Sequence, residues 1–327
     1  MICPSCGTPA PEGARFCEVD GTQLTPANAP GAVIGNCRCG AGPDAIDEQG
    51  FCTECGRKRL KQTRDHSEVS IAPNFGGVTD RGRRHRQNED DLALVLERRD
   101  DKPVYVLVVC DGVSSSQHAE MASAAACSAV CEVLSTAVRE GRRDPKEAMA
   151  EAVRAANKAV CLLPHVEDDP KDPPETTLVA ALVQDGVATI GWVGDSRAYW
   201  IGVGGSSLLT HDHSWVNDRV DSSQMSEEEA MHAPEAHAIT RSLGLWEGVE
   251  SEEASEPSFV TFPFPSGGSL LLCSDGLWIY LSEPEQIAAL IGQMPEGADA
   301  QGTARMLVEY ANAQGGRDNI TVAIAAF

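Results

Sequence analysis

The sequence predicts an α+β fold of packed layers, preceded by small metal-bound modules. Three observations predict it. Apolar runs of strand length recur between turn signals such as Asp185-Gly186 and Gly204-Gly205. Two long Ala-rich stretches between them have the length and start signals of helices. Seven cysteines fall before residue 56, in short paired spacings, and the other five are scattered. At 327 residues the chain fits a small module plus one larger domain. The expected division is tandem zinc ribbons over 1–56 (1–24 and 35–56), a linker over 57–71, and a domain over 72–327.

The ribbons come first in the chain. Cys37-Arg38-Cys39-Gly40 and Cys52-Thr53-Glu54-Cys55-Gly56 are two tight knuckles separated by twelve residues. Four thiolates so spaced make a closed tetrahedral site, as structural zinc requires. Upstream, Cys3-Pro4-Ser5-Cys6-Gly7 and Cys17-Glu18-Val19-Asp20-Gly21 repeat the pattern, with Asp20 where a fourth cysteine is expected. Aspartate can ligate zinc, so Cys3, Cys6, Cys17 and Asp20 are a candidate second site; loss of that site is the alternative. Units this small draw most of their folding energy from the metal. Neither has an open position or a general base, so docking of a protein partner is the expected role. The basic run Arg57, Lys58, Arg59, Lys61 and Arg64 reads as the solvated start of a linker rather than a nucleic-acid patch.

In the larger domain, residues 104–109 are continuously apolar and suit a buried strand. Ala119–Arg139 reads as a helix, with Cys127 and Cys131 on one face. Cys110, Cys127, Cys131, Cys161 and Cys273 all lie in apolar segments and read as small buried hydrophobes. Asp144-Pro145-Lys146-Glu147 starts a second helix running to 162. Residues 164–174, rich in proline and acid, are a loop. Strands over 177–183, 187–193, 198–202 and 208–210 are expected as one meander. Residues 215–238 are polar and acidic and form a candidate mobile flap. Ser282-Glu283-Pro284-Glu285 caps another helix, and 303–313 is the last one, ending at Gly315-Gly316.

The net charge of −23 lies wholly beyond residue 64, since residues 1–64 carry seven cationic and seven acidic side chains. So acidic a domain argues against nucleic acid as the main substrate. No run of 18 apolar residues exists, so no membrane span is expected. The start, Met1-Ile2-Cys3-Pro4, lacks a basic run followed by an apolar one, so the expectation is no signal peptide and a cytoplasmic location.

Four short acidic stretches punctuate the domain beside apolar runs: Asn88-Glu89-Asp90-Asp91, Asp111-Gly112, Ser274-Asp275-Gly276 and Asp318-Asn319. Carboxylates at strand ends, with no His or Cys among them, suit hard divalent cations such as Mg²⁺ or Mn²⁺. This chemistry points to a two-metal hydrolase.

Over 72–327 the chain resembles the metal-dependent protein phosphatases of type 2C, the PPM family, in their compact bacterial form. The resemblance rests on Thr79-Asp80-Arg81-Gly82, Asn88-Glu89-Asp90, Val109-Cys110-Asp111-Gly112-Val113, Glu175-Thr176-Thr177 and Gly194-Asp195-Ser196-Arg197-Ala198-Tyr199. It continues through Leu209-Thr210-His211-Asp212-His213-Ser214, Thr240-Arg241-Ser242-Leu243-Gly244, Ser274-Asp275-Gly276-Leu277-Trp278 and Asp318-Asn319-Ile320-Thr321-Val322. Nine motifs in order make it specific. It implies two packed antiparallel sheets flanked by helices, with two Mn²⁺ or Mg²⁺ ions in a cleft at one end. It implies hydrolysis of phosphoserine and phosphothreonine in proteins, the targets of a Ser/Thr kinase, by direct attack of a water bridging the ions.

By the same resemblance, Asp111 bridges the ions and the Gly112 carbonyl binds the second. Asp275 and Asp318 bind the first, Glu89 contacts the second through water, and Asp90 orients water on the metals. Asp195 matches the ligand of a weakly held third ion, or is a strand-turn residue beside Arg197. Thr210, Asp212, His213 and Ser214 shape the fold and the flap base. Where the family often has a phosphate-gripping Arg, this chain has His85, flanked by Arg84 and Arg86, so His85 and Arg86 are the candidate phosphate ligands. Val113 stands where some relatives carry a general-acid His, and Ser114-Ser115-Ser116 replaces a Gly-rich turn. A silent phosphoprotein-binding adaptor and a nucleic-acid-binding regulator are the competing readings.

Overall fold

The computed structural model describes residues 64–142, 144–167, 169, 171–236, 238–244, 256–295 and 297–327. The expected zinc ligands Cys3, Cys6, Cys17, Asp20, Cys37, Cys39, Cys52 and Cys55 lie outside the described residues. The domain opens on an antiparallel pair, β1 (His66–Ala72) and β2 (Phe75–Asp80). Residues 66–71, expected as linker, therefore belong to the sheet. Their sequence, with His66, Ser67, Glu68 and Ser70, is too polar to announce a strand; its ladder to β2 makes it one. Next, β3 (Asp91–Arg99) and β4 (Lys102–Cys110) pair through Asp100 and Asp101, both at positive φ, as a two-residue hairpin requires.

The helices α1 (Ala119–Arg139) and α2 (Pro145–Cys161) follow where expected. The Asp144 carboxylate accepts from the backbone N–H groups of Lys146 and Glu147 and so starts α2. By length and composition α1 could cross a membrane; here its apolar face packs on α2 and the β3–β4 hairpin.

β5 (Leu178–Gln184) and β6 (Val187–Val193) pair through Asp185-Gly186, but the expected meander stops there. β7 (Arg197–Gly202) and its short partner β8 (Ser207–Leu208) lie in the other sheet. Instead β6 pairs with β9 (Ser258–Pro263), and β7 with β10 (Gly268–Cys273). The chain changes sheets at Gly194, whose φ of 98° breaks the strand. Period-two apolarity marks a strand but not its neighbour, which is why the sequence does not reveal the crossing.

The expected flap folds into α3 (Trp215–Asp221) and α4 (Glu227–Met231), which share a small core of Val216, Ala230 and Ala236. A short α5 (Asp275–Trp278) follows β10, then α6 (Pro284–Ile291), with Glu283 of the expected capping stretch as its cap. Helix α7 (Ala300–Ala313) begins three residues earlier than expected because Asp299 caps it through the Gly302 N–H. Strand β11 (Ile320–Ala326) closes the fold.

One sheet has the order β1-β2-β11-β10-β7-β8 and the other β3-β4-β5-β6-β9. Alternation along the central strands builds three apolar layers. In β4, Val104, Val106 and Val108 face α1 and α2, while Leu107 and Val109 face the opposite sheet. In β10, Leu271 packs with the α6–α7 layer and Leu270 and Leu272 with the opposite sheet. The continuous apolar runs thus reflect burial on both faces of each sheet, between helices and a second sheet. The result is an α-β-β-α sandwich, as the resemblance implies. Cys110, Cys127 and Cys273 are buried in it and Cys131 and Cys161 partly so, all as free thiols.

Candidate active site

Strand register carries the acidic stretches to one end of the sandwich. Asp91, opening β3, pairs with Cys110, closing β4, so Glu89-Asp90 and Asp111-Gly112 leave the sheet side by side. Cys273, closing β10, pairs with Val322 near the start of β11 and with Arg197, opening β7. Asp275, Asp318 and Asp195 therefore leave the second sheet at a common edge. Close approach of backbone tightens the assembly. A Cβ on Gly276 would lie 1.9 Å from the Asn319 carbonyl oxygen, and one on Gly112 would lie 2.7 Å from that of Glu89. Only glycine lets these turns meet.

Uncharged polar residues hold the loops in register. Asp90 is 1% exposed, and its Oδ2 accepts from Ser274 Oγ at 2.8 Å and Thr321 Oγ1 at 2.7 Å. Asn319 Oδ1 accepts from the Glu89 N–H at 2.7 Å, while Asn319 Nδ2 donates to the carbonyls of Arg81 and Gln87. Buried Asn88 donates to Thr79 Oγ1 and to the Arg64 carbonyl. Arg64 in turn donates to the carbonyls of Asn88, Asp90 and Glu120 and to Ser123 Oγ, clamping the Glu89-Asp90 loop to the start of α1. The Glu89 carboxylate accepts from Ser114 Oγ at 2.5 Å and from Gln87 Nε2 at 3.3 Å. Thr176 and Thr177 bind the backbone of Asp111.

The cluster packs buried carboxyl groups close together. Burial pushes the Asp111 carboxyl well up, and the neighbouring Asp90 and Asp275 charges add to it. The charges of Asp90, Asp275, Asp318 and Asp195 all act on Asp111, so these side chains crowd one another at the end of the sandwich. Burial raises Asp90 to about 6 against the pull of Thr321 and Ser274. Burial, then repulsion from Asp212, raises Asp195 to about 7, and burial with Asp195 and Asp318 raises Asp275. Two buried oxygens, Asp90 Oδ1 and Asp275 Oδ1, have no hydrogen-bond partner. Among the described residues no three such side chains already stand in coordinating geometry. All-oxygen donors, mutual repulsion and two orphaned buried oxygens fit hard divalent cations.

The remaining expected residues are placed as follows. His85 Nε2 lies 3.2 Å from Asp318 Oδ1, at the cleft edge. Arg86 is exposed, with its backbone carbonyl accepting from Arg81. Asp212 binds Arg197 through both carboxylate oxygens, and the Arg197 guanidinium stacks 4.0 Å over the Trp278 ring. Trp278 Nε1 donates to the Asp195 carbonyl, so this pair braces Asp195 and α5. His213 Nδ1 accepts from the Gly194 N–H, and Ser214 caps α3. Sequence reasoning assigned no role to Ser274, Thr321, Asn319 or Ser123, and it read Arg64 as the solvated start of a linker, whereas Arg64 is the clamp described above. The available signal was a hydroxyl or amide beside each acid, in strands otherwise apolar.

A two-sheet sandwich with an acidic cleft at one end is the layout of a cation-dependent hydrolase. Residues 81–311 match the family model for protein phosphatase 2C. The serine/threonine phosphatase stp of Listeria monocytogenes is 33% identical over 251 residues, covering 75% of this chain and 92% of the relative. The serine/threonine protein phosphatase PstP of Mycobacterium tuberculosis is 29% identical over 259 residues, covering 79% of this chain and 46% of PstP. The solved S. agalactiae serine/threonine phosphatase superposes with a TM-score of 0.63 at 26% identity, covering 80% of this chain and 99% of that one. The catalytic domain of PstP in complex with two manganese ions superposes with a TM-score of 0.57 at 30% identity, covering 77% and 96%. The chain belongs to the protein phosphatase 2C family, and its class is that of protein phosphatases.

Proposed function

We propose that this chain hydrolyses phosphoserine and phosphothreonine in proteins and depends on Mn²⁺ or Mg²⁺ to do so. The observation that carries this reading is the convergence of Asp90, Asp111 and Asp275 with buried oxygens left unpartnered. Asp111, the Gly112 carbonyl, Asp275, Asp318 and Asp90 would hold two ions, and Asp195 a third. Bound there, such ions supply an acidified water as nucleophile and neutralise phosphate charge.

The protein's own groups do the rest. Ser274 and Thr321 fix the rotamer of Asp90, and Asn319 fixes the backbone that presents Glu89. His85 and Arg86, at the cleft edge, would bind the phosphate oxygens. Val113 has no proton to give, so the leaving oxygen takes its proton from elsewhere in the cleft. With Mn²⁺, the protein should hydrolyse p-nitrophenyl phosphate and a phosphothreonine peptide. Turnover that needs no divalent ion, or that survives Asp275→Asn, would overturn the reading.

The amino-terminal cysteines would form zinc ribbons that dock a partner or substrate, a reading supported by the spacing of Cys37, Cys39, Cys52 and Cys55. Metal analysis of the purified chain should find one or two zinc ions, and a Cys52→Ser variant fewer.

A further inference from the structure

Four arginines in this acidic protein stand together at one side of the cleft. The loop after β2 reads Arg81-Gly82-Arg83-Arg84-His85-Arg86. It docks against the turn before β11: the Arg83 N–H donates to the Gly316 carbonyl at 2.8 Å, and Arg83 Nε to the Asn312 carbonyl at 2.6 Å. His85 meets Asp318 across the same junction, and Asn319 Nδ2 holds the Arg81 carbonyl at 2.8 Å. Arg317, between Gly316 and Asp318, is thereby brought beside the basic loop. Arg83, Arg84, Arg86 and Arg317 are exposed, and among the described residues none lies within ion-pair distance of a carboxylate. Elsewhere Arg99, Arg139, Arg142, Arg197 and Arg305 have acidic partners, while Arg98, Arg154, Arg219 and Arg241, which also lack one among the described residues, are scattered singly along the chain rather than clustered.

We propose that this rim selects phosphoprotein segments that carry acidic side chains beside the phosphorylated residue. The proposal rests on the phosphatase reading and narrows its substrate class. Four such guanidiniums clustered in a chain of net charge −23 make a local exception to the field of the whole protein. A guanidinium presents a planar donor fork that matches carboxylate geometry. A phosphoresidue seated near Asp318 would lay its flanking residues over Arg84 and Arg317. Four arginines span too little to track a nucleic-acid backbone, whose binding requires many phosphate contacts.

The test compares two phosphothreonine peptides, one flanked by glutamates and one by glutamines, on the full-length protein with Mn²⁺. The acidic peptide should be favoured about fivefold to tenfold in kcat/KM at low salt, and about twofold or less near 0.3 M salt. The double variant Arg84→Gln with Arg317→Gln should lose most of that preference and keep its turnover of p-nitrophenyl phosphate. Both side chains lie outside the groups assigned to metal or phosphate. Fluorescence anisotropy of the same peptides on Asp275→Asn protein reads the preference without turnover, so failure of the phosphatase reading leaves this one measurable. Equal use of the two peptides, or an unchanged preference in the double variant, would overturn it. So would an RNA oligonucleotide that outcompetes the acidic peptide and loses affinity in the double variant.

Discussion

Glu68 and Asp80, on the β1–β2 face, each have a basic side chain as partner. Arg305 donates to both oxygens of Glu68, at 2.7 and 2.6 Å, and His66 lies 2.6 Å from Asp80. Hydrogen bonds from Arg305 hold Glu68 down to about 2. Burial pushes Asp80 up, but bonds from His66, Asn312 and the Gly82 N–H outweigh it and leave it lowered. At the end of the sandwich Asp90 touches two hydroxyls but no cation, and burial with neighbouring carboxylate charge raises Asp90, Asp111, Asp195 and Asp275 alike. The same functional group is complete at the first place and in need of a cation at the second. Charge placement, rather than residue type, separates a structural carboxylate from a ligand.

The sharpest way to break this contrast is Asp275→Asn. It should reduce turnover about a thousandfold, since several kcal/mol of charge stabilisation go with the site. Melting of the metal-free protein should not fall, because one repelling charge is gone. A variant that melts much earlier would assign Asp275 to the Glu68 kind.

The second test is pH. Asp90 and Asp195 hold protons more tightly folded than unfolded, so their stabilising effect is full below about 3.8. It is lost as pH rises through about 6 and about 7. Metal-free protein should therefore melt several degrees lower at about pH 8 than at about pH 5.5, and Mn²⁺ should restore the loss at the higher pH. A flat profile, or no effect of Mn²⁺, would show that burial and neighbouring charge do not raise these acids.

Arg64 connects a structural clamp to the reactive end. Arg64→Ala should cost about 1 kcal/mol by chemical denaturation, with its hydrogen bonds half exposed. It should also raise the Mn²⁺ concentration for half-maximal activity severalfold. Loss of stability without a change in metal requirement would confine Arg64 to the fold.

The smallest effect belongs to the paired region. Arg305→Gln should cost roughly 0.5–1 kcal/mol at neutral pH and leave turnover unchanged. Glu68 is lowered by folding, so its contribution is present above about 4.5 and fades as pH falls through about 2. The stability curves of variant and parent should converge in that range.

Much of the layer plan was legible because it is local. Ala119–Arg139 and Val187–Val193 have the bounds that their periodicity announces, and Asp144 is the cap that its place before Pro145 predicts. Strand β1 was not legible, because an edge strand of polar residues owes its state to its partner. The change of sheet at Gly194 was not legible either, since hydrogen-bond pairing between distant strands leaves no trace in alternation. In the site, the acids were visible as strand-end residues. Ser274, Thr321 and Asn319, which aim them, were visible only as members of motifs.

By itself the chain's sequence determined the ligand chemistry: oxygen donors at the ends of apolar strands, with His85 and arginines close by in sequence. Tertiary structure decided which carboxylates meet, which are neutralised and which are left repelling one another. The physical reason is range. Strand and helix preferences act over a few residues, whereas the raised carboxyls arise from burial and from charges more than 200 residues apart in the chain, as Asp90 and Asp318 are.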